Sequence, residues 1–262
     1  MQRTMKKLSK FLMVLALGAV ICLLGAVFSL PAAHATVVYF NDFSTAGPYA
    51  GWSAATGTPL QTTAPLPPNQ QFLGTDSVNG ISSNTMTLAL TGLPSHTGLT
   101  VEFDLYIIRS WDGNNTSTDT STNTVRGPDV WQFAVGAQTL VNTTFSNVFI
   151  DSPNYNQSYS PTNLVGPGNF APQTGASAID TLKYPDFFGT NAVYHFVFNI
   201  PDTLDSVNLV FTGLPTQSIT DENWGLDNVK VSTIPLPPSA LLLGSGLVGL
   251  ALLGRRFRKT KV

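Results

Sequence analysis

Residues 99–108 alternate apolar and polar side chains, and no other pattern in the chain restricts the fold so strongly. A period of two belongs to a β-strand that buries one face and exposes the other to water. We therefore predict the central strand of a β-sandwich at this position. The apolar set, predicted to point inward, is Val101, Phe103, Leu105 and Ile107, and the set predicted to face water is Glu102, Asp104 and Tyr106.

Further segments have the same strand-like character, because they are rich in β-branched and aromatic residues and are bounded by Gly, Pro, Asn and Thr. No window before the C-terminal tail shows a sustained helical stripe. We therefore predict an all-β fold, a two-sheet sandwich of the jelly-roll or concanavalin-like type. Two fibronectin-like domains in tandem are the alternative, with a linker at 112–128. The predicted strands are 37–43, 85–90, 130–135, 139–142, 193–200, 207–212 and 226–231.

Two stretches have the composition of long loops. Residues 112–128 are nearly all Asn, Thr, Ser, Asp and Gly, and residues 152–178 are rich in Pro, Asn, Gly and Tyr. We predict that both lie at one end of the sandwich. Loops of this length are often functional.

The first 35 residues have the three-part layout of a secretory signal peptide. A basic start precedes an apolar run at 11–30, and Ala33 and Ala35 supply the small side chains that a signal peptidase reads. We predict a signal peptide over 1–35, forming a helix and cleaved after Ala35. An uncleaved transmembrane helix is the alternative, because the apolar run is long enough to span a bilayer.

The C-terminal tail, residues 234–262, contains a second apolar segment. Residues 232–239 break regular structure, residues 240–254 are apolar, Gly or Ser, and a basic cluster ends the chain. Counted from Ile234, the run of 21 residues is long enough for a transmembrane helix. The positive-inside rule places the basic end in the cytoplasm and the domain at 36–233 outside it.

The order of these tail features resembles the PEP-CTERM sorting signal, in a Pro-Leu-Pro-Pro variant that lacks the family's central glutamate. The resemblance implies a Gram-negative bacterium that makes exopolysaccharide. It also implies processing by an exosortase-like enzyme, tethering to the inner membrane, and a final place at the cell surface or outside the cell. The residues that carry the resemblance are Pro235, Leu236, Pro237, Pro238 and Ser239, followed by Arg255 and Arg256.

The predicted exported domain is strongly acidic, although the whole chain carries a net charge of only −2. All 15 acidic residues but only four of the 13 basic residues lie within 36–233, which gives this part a net charge of −11. Such a charge argues against nucleic acid as a partner and fits cations or neutral glycans. The one cysteine, Cys22, falls in the signal segment, so the domain must be stabilised by its core or by a metal.

Segments 40–43 and 221–229 resemble the first and last strands of carbohydrate-binding jelly rolls, which run side by side and often share a Ca²⁺ ion. The resemblance implies a structural Ca²⁺ with Asp42 and Asp227 as ligands. Asp and Asn at strand ends also cap turns, which is the alternative. The segment 112–123 is not an EF-hand, because Asn123 stands where that loop needs glutamate. Oxygen donors near the proposed pair are Asn41, Asp221, Glu222 and Asn228.

Aromatic residues supply the main binding signal, since flat rings can stack on the faces of sugars. We predict that Trp111, Tyr155 and Tyr159 are exposed and bind carbohydrate. Trp131 is predicted to point into the core, and His195 away from it.

No catalytic arrangement emerges from the sequence. Glu102 and Asp104 share one face of the predicted central strand, but concanavalin-like glycosidases carry a further carboxylate where this chain has Ile107. We therefore expect a non-catalytic surface or matrix protein that binds polysaccharide. The alternatives are a structural or adhesive protein without sugar specificity and a divergent glycoside hydrolase or lyase.

Overall fold

The chain divides into two compact units, and the larger one is Ala35–Ile234. The predicted signal segment and most of the predicted tail lie outside the residues that the structure describes. Among the described residues, no helix is long and apolar enough to cross a membrane. The computed structural model describes residues 34–63, 71–75, 80–148, 153–182 and 191–236.

The described residues of the larger unit form β-strands, with a short 3₁₀ turn at Pro153–Tyr155. The strands are β1 (Thr36–Asn41), β2 (Trp52–Ala54), β3 (Gln61–Thr63), β4 (Phe72–Gly74), β5 (Asn84–Thr91), β6 (Gly98–Arg109), β7 (Thr118–Asp119), β8 (Thr124–Val125), β9 (Val130–Val135), β10 (Gln138–Thr144), β11 (Ala178–Ile179), β12 (Ala192–Pro201), β13 (Ser206–Leu214) and β14 (Glu222–Ile234).

These strands form two antiparallel sheets and a small hairpin. The larger sheet has the order β11-β12-β6-β14-β4-β3, with β1 also paired to β14, and the second sheet has the order β10-β9-β13-β5-β2. Strands β7 and β8 form the hairpin. The predicted all-β, sandwich-like fold is confirmed. The predicted central strand is β6, which pairs with β12 on one side and β14 on the other.

The inward faces of the two sheets meet in an aromatic core. The ring of Phe103 on β6 lies 5.0 Å from Phe133 on β9 and 5.2 Å from Phe211 on β13, measured between centroids. Trp131 is fully buried beside them, as predicted. Aromatic pairs in such geometry contribute beyond the area that they bury, so these contacts hold one sheet against the other.

The outer face of the larger sheet is partly covered, which corrects one expectation. Tyr106 was predicted to face water but is fully buried. It packs with Phe72 on β4, and with Leu182 and Val193, in a second apolar cluster. The alternation in β6 places Tyr106 on the outer face correctly, but segments distant in sequence cover that part of the face.

The pairing of β6 with β14 defines two ends of the sandwich. Gly98 lies opposite Ile234 at one end, and Arg109 lies opposite Glu222 at the other. Strand β1 reaches the first of these ends, where Thr36 pairs with Thr233. We call this the terminal end, and we call the end beyond Arg109 and Glu222 the loop end. At roughly 3.4 Å per residue, β6 separates the two ends by about 37 Å.

The two long polar segments pack together at the loop end, as predicted. The backbone N–H of Asn114 donates to the carbonyl oxygen of Asn156 over 2.8 Å. Gly113 has φ +66°, and a Cβ at this position would lie 2.5 Å from the same carbonyl oxygen. Glycine is therefore required here both by the backbone conformation and by the close approach of the second loop.

Phe103→Ala should lower the free energy of unfolding by about 3–5 kcal/mol, because the ring is fully buried among other rings and its loss leaves a cavity. Phe40→Ala is the matched control, since the Phe40 ring is 57% exposed on the outer face, and it should change stability by about 0.5 kcal/mol or less. Urea denaturation of both variants measures the difference. Equal losses in the two variants would contradict this assignment of the core.

Candidate metal centre

Three acidic side chains converge at the loop end. Asp112 follows β6, Asp129 directly precedes β9, and Glu222 begins β14. One carboxylate oxygen from each side chain lies within 4.8 Å of the other two. Within the described ranges, this is the one group of three or more His, Cys, Asp or Glu side chains that converge so closely.

The three carboxylates are buried. Asp129 and Glu222 have no exposed surface, and Asp112 is 4% exposed. Among the described residues, none of the three forms an ion pair with Lys, Arg or His. Because a buried charge without a partner is strongly unfavourable, the cluster requires either protons or a cation.

Backbone groups hold the cluster in place. The N–H of Asp112 donates to Asp129 Oδ2 over 2.5 Å, and the N–H of Thr216 donates to Asp129 Oδ1 over 3.1 Å. The N–H of Gln217 donates to Glu222 Oε2 over 2.8 Å. Glu222 Oε1 is buried and receives no hydrogen bond from the described residues. One oxygen of the cluster thus receives no N–H or hydroxyl hydrogen bond from the described residues, and the Glu222 and Asp129 carboxyls lie close enough to share a proton.

Burial changes the acidity of all three groups. Burial, with a smaller contribution from the neighbouring Asp129 carboxylate, raises the pKa of Asp112 to about 8 against the opposing effect of the Arg126 guanidinium. Burial also raises the pKa of Asp129 and of Glu222, and Asp129 adds to the effect on Glu222. In the absence of a cation, the cluster therefore retains protons at neutral pH.

The donor set fits a hard divalent cation. Three carboxylates without His or Cys are typical of Ca²⁺ and Mg²⁺, whereas Zn²⁺ sites commonly use nitrogen and sulfur ligands. A cation would supply positive charge at the carboxylate oxygens, which form no ion pair with a basic side chain among the described residues.

A pocket of about 330 Å³ opens beside the cluster, and Asp112 forms part of its wall. Arg126 organises another part, because its Nη2 pairs with Asp119 Oδ2 at 2.7 Å and its Nη1 donates to the Tyr155 hydroxyl at 3.2 Å. The remaining lining residues are Ser110, Val148, Gln217 and Asp221. The pocket thus combines one aromatic ring, one cation and several oxygen acceptors.

Of the three predicted carbohydrate-binding residues, one lies at the pocket and two are buried. Tyr155 lies at the pocket, but the predicted exposure of Trp111 and Tyr159 is wrong. Trp111 is fully buried and donates from Nε1 to the carbonyl oxygen of Asn223, and Tyr159 packs 4.7 Å from the ring of Phe145. Both rings are buried because the long loops fold back onto the core, so neither can stack on a sugar.

The predicted calcium ligands Asp42 and Asp227 are not part of the three-carboxylate cluster. Asp42 is exposed, and its Oδ1 accepts hydrogen bonds from the backbone N–H and the hydroxyl of Ser44, as in a turn. Asp227 is buried and accepts a hydrogen bond from the Tyr106 hydroxyl. A calcium ion between Asp42 and Asp227 stays a prediction.

The predicted processing sites lie mostly outside the described residues. Pro235 and Leu236 follow β14 without regular structure, and Ala35 directly precedes β1. The residues of these sites that the structure does not describe are Ala33, Pro237, Pro238, Ser239, Arg255 and Arg256.

The three-carboxylate cluster is not predicted by the sequence. Glu222 is predicted there only as an oxygen donor near Asp227, Asp112 begins a segment that does not fit an EF-hand, and Asp129 carries no prediction. The signal that could have found two members is the antiparallel pairing of β6 and β14, because the residues beyond one strand then lie beside the start of the other. Asp129 reaches the site from the other sheet, through its position before β9.

The carboxylates on the outer face of β6 are paired with basic side chains. Asp104 Oδ1 lies 2.7 Å from His195 Nδ1, and Glu102 Oε2 lies 3.1 Å from Lys230 Nζ. His195 is exposed and points away from the core, as predicted. Glu102 and Asp104 are thus members of a charged sheet surface.

Comparison with known proteins provides no family assignment, since no family model and no curated protein matches the chain. Two solved structures with some likeness are the K3 and K1 cleaved adhesin domains of Lys-gingipain from Porphyromonas gingivalis W83. K3 has a TM-score of 0.36 and 15% identity over 76% of this chain and 100% of that domain. K1 has a TM-score of 0.37 and 9% identity over 74% of this chain and 96% of that domain.

A third structure with some likeness is a family GH115 4-O-methyl-α-glucuronidase with specificity for decorated arabinogalactans. It has a TM-score of 0.29 and 11% identity over 76% of this chain and 18% of that enzyme. All three TM-scores lie below 0.5, so these likenesses carry no weight for the function of this chain.

Without divalent cations, the free energy of unfolding should fall as pH rises from about 4 to about 8. Asp112 titrates at about 8 in the folded chain and near its ordinary value of about 4 in the unfolded chain. The folded state therefore binds more protons across this window, so each step upward in pH favours unfolding. Urea denaturation in EGTA at a series of pH values measures the fall.

Asp112→Asn provides the control for this prediction, because the amide has nearly the same shape and does not titrate. The fall in stability between pH 4 and 8 should be shallower in Asp112→Asn than in the unchanged protein. Identical pH profiles would mean that the titration of Asp112 does not cause the fall in the free energy of unfolding.

Proposed function

We propose that the protein is an exported, non-catalytic surface or matrix protein whose jelly-roll-like β-sandwich binds polysaccharide at its loop end. The observation that carries this proposal is the pocket beside the three-carboxylate cluster. Its position, its size and the chemistry of its lining all favour a polar ligand that is larger than an ion.

The lining of the pocket fits the chemistry of sugars. A sugar ring presents hydroxyl groups at its edge and C–H groups on its face. Asp119 and Asp221 can accept hydrogen bonds from hydroxyls, Arg126 can donate to them, and the ring of Tyr155 can pack against an apolar face. Binding pockets usually combine a few polar groups with apolar surface in this way.

The attachment points of the predicted leader and tail lie far from the pocket. Thr36 and Ile234 both lie at the terminal end of the sandwich. The pocket lies at the opposite end of the sandwich, beside Asp112.

The partners of Glu102 and Asp104 support a non-catalytic role. A retaining glycosidase needs two carboxylates on either side of the scissile bond, about 5–5.5 Å apart. Here Glu102 is held by Lys230 and Asp104 by His195, on an open sheet face. Their pairing favours a structural role over a hydrolytic one.

The sorting part of the proposal rests on the sequence of the two ends. The three-part leader favours signal peptidase as the first processing enzyme. The ordered proline motif, apolar run and arginine pair favour an exosortase-like enzyme as the second, with the inner membrane as the intermediate location and the exopolysaccharide as the proposed ligand.

The purified protein should bind one class of polysaccharide on a glycan array, and Tyr155→Ala should weaken that binding about tenfold or more, because a ring that contacts ligand often contributes over 1 kcal/mol. Phe40→Ala removes an exposed ring distant from the pocket and should bind as the unchanged protein does.

Two outcomes would count against polysaccharide binding at the loop end. Failure to bind any glycan, with or without Ca²⁺, would favour the structural or adhesive alternative. Equal loss of binding in Tyr155→Ala and Phe40→Ala would mean that the glycan does not bind in this pocket.

A further inference from the structure

We propose that Asp112, Asp129 and Glu222 bind one Ca²⁺ ion, which joins three chain segments at the loop end. This inference does not depend on the polysaccharide ligand. It concerns a different site from the Asp42 and Asp227 pair that the sequence indicates.

The convergence and burial of the three carboxylates favour a bound cation. Three carboxylates whose oxygens lie within 4.8 Å of one another would place up to three negative charges in a volume that water hardly reaches. None of the three is paired with a basic side chain within the described part of the chain. A divalent cation among the oxygens would balance most of this charge.

One oxygen of the buried Glu222 carboxyl has no N–H or hydroxyl donor. Glu222 has no exposed surface, and its Oε1 accepts no hydrogen bond from an N–H or hydroxyl of the described residues. Without a cation, the Glu222 carboxyl would share a proton with the neighbouring Asp129 carboxyl. The other oxygen of Glu222 is fixed by the N–H of Gln217, so the side chain is already oriented. Buried polar atoms almost always have a partner, and an ion at the cluster would provide one.

The backbone around the cluster also fits a bound ion. Asp129 accepts hydrogen bonds from the N–H groups of Asp112 and Thr216, which hold its carboxylate before any ion binds. Preorganised oxygen ligands reduce the cost of ordering the site. Ca²⁺ commonly takes six to eight oxygen ligands, so carbonyl groups or water would complete the shell.

Ca²⁺ fits the site better than the other common divalent ions. A set of carboxylates without nitrogen or sulfur disfavours Zn²⁺. Mg²⁺ keeps several of its waters and demands near-ideal octahedral geometry, whereas Ca²⁺ accepts several protein carboxylates in irregular geometry. A buried site on three separate segments is more suited to the larger and more adaptable ion.

The ion would act as a crosslink between the two sheets. Asp112 extends from β6 and Glu222 begins β14, both in the larger sheet, whereas Asp129 precedes β9 in the second sheet. The segments that carry these ligands also supply Ser110, Gln217 and Asp221 to the pocket wall. Ca²⁺ therefore holds the pocket in shape, and its removal should loosen the loop end first.

The test uses the purified full chain and measures Ca²⁺ binding by isothermal titration calorimetry after EGTA treatment. We expect one ion per chain. Free Ca²⁺ at about 100 times Kd should raise Tm by about 5–10 °C, by mass action on the folded state. Tb³⁺ serves as a second probe, because the buried ring of Trp111 adjoins Asp112 and can sensitise the luminescence of a bound lanthanide.

Matched variants locate the ion. Glu222→Gln and Asp129→Asn keep side-chain shape but cannot supply a negatively charged ligand. They should weaken Ca²⁺ affinity tenfold or more while leaving the Ca²⁺-free protein folded by circular dichroism. Asp42→Asn and Asp227→Asn are the controls and should bind Ca²⁺ with unchanged affinity.

Three results would overturn the proposal. The first is a wild-type protein that binds no Ca²⁺ at millimolar concentration. The second is unchanged Ca²⁺ affinity in folded Glu222→Gln and Asp129→Asn. The third is loss of binding in Asp227→Asn with binding retained in Glu222→Gln, which would place the ion at the site that the sequence indicates.

Discussion

The antiparallel pairing of β6 with β14 underlies most of the features described above. It places Phe103 and its inward neighbours at the centre of the larger sheet, facing the aromatic residues of the second sheet. It brings the end of β6 beside Glu222 and the start of β6 beside Ile234. The core, the pocket and the attachment points of both chain ends all depend on this one register.

At the loop end, the fold brings three buried carboxylates close together without a basic partner among the described residues, which is electrostatically unfavourable. The aromatic core and the folded loops exclude water, yet three carboxylates point into the same small volume. Such an arrangement lowers stability unless protons or a cation neutralise it. Natural proteins commonly accept local destabilisation of this kind at functional sites, and the cluster adjoins the pocket that carries the proposed function.

The strands could be predicted from the sequence because alternation is a local property. Residues 99–108 reveal β6 without knowledge of its partners, and Trp131 could be assigned to the core in the same way. The burial of an outward-facing side chain by other segments is not a local property. Tyr106 and Trp111 are buried against segments distant in sequence, and Asp129 reaches the carboxylate cluster from the opposite sheet. The strand pairing would have to be known before the burial of these rings or the position of Asp129 could be predicted.

A crystal structure of the protein grown with Ca²⁺ would show whether one Ca²⁺ ion organises the loop end. We expect one anomalous difference peak with oxygens of Asp112, Asp129 and Glu222 at about 2.3–2.6 Å. A cluster without such a peak, in which the three carboxyl groups share protons by direct hydrogen bonds, would contradict this expectation.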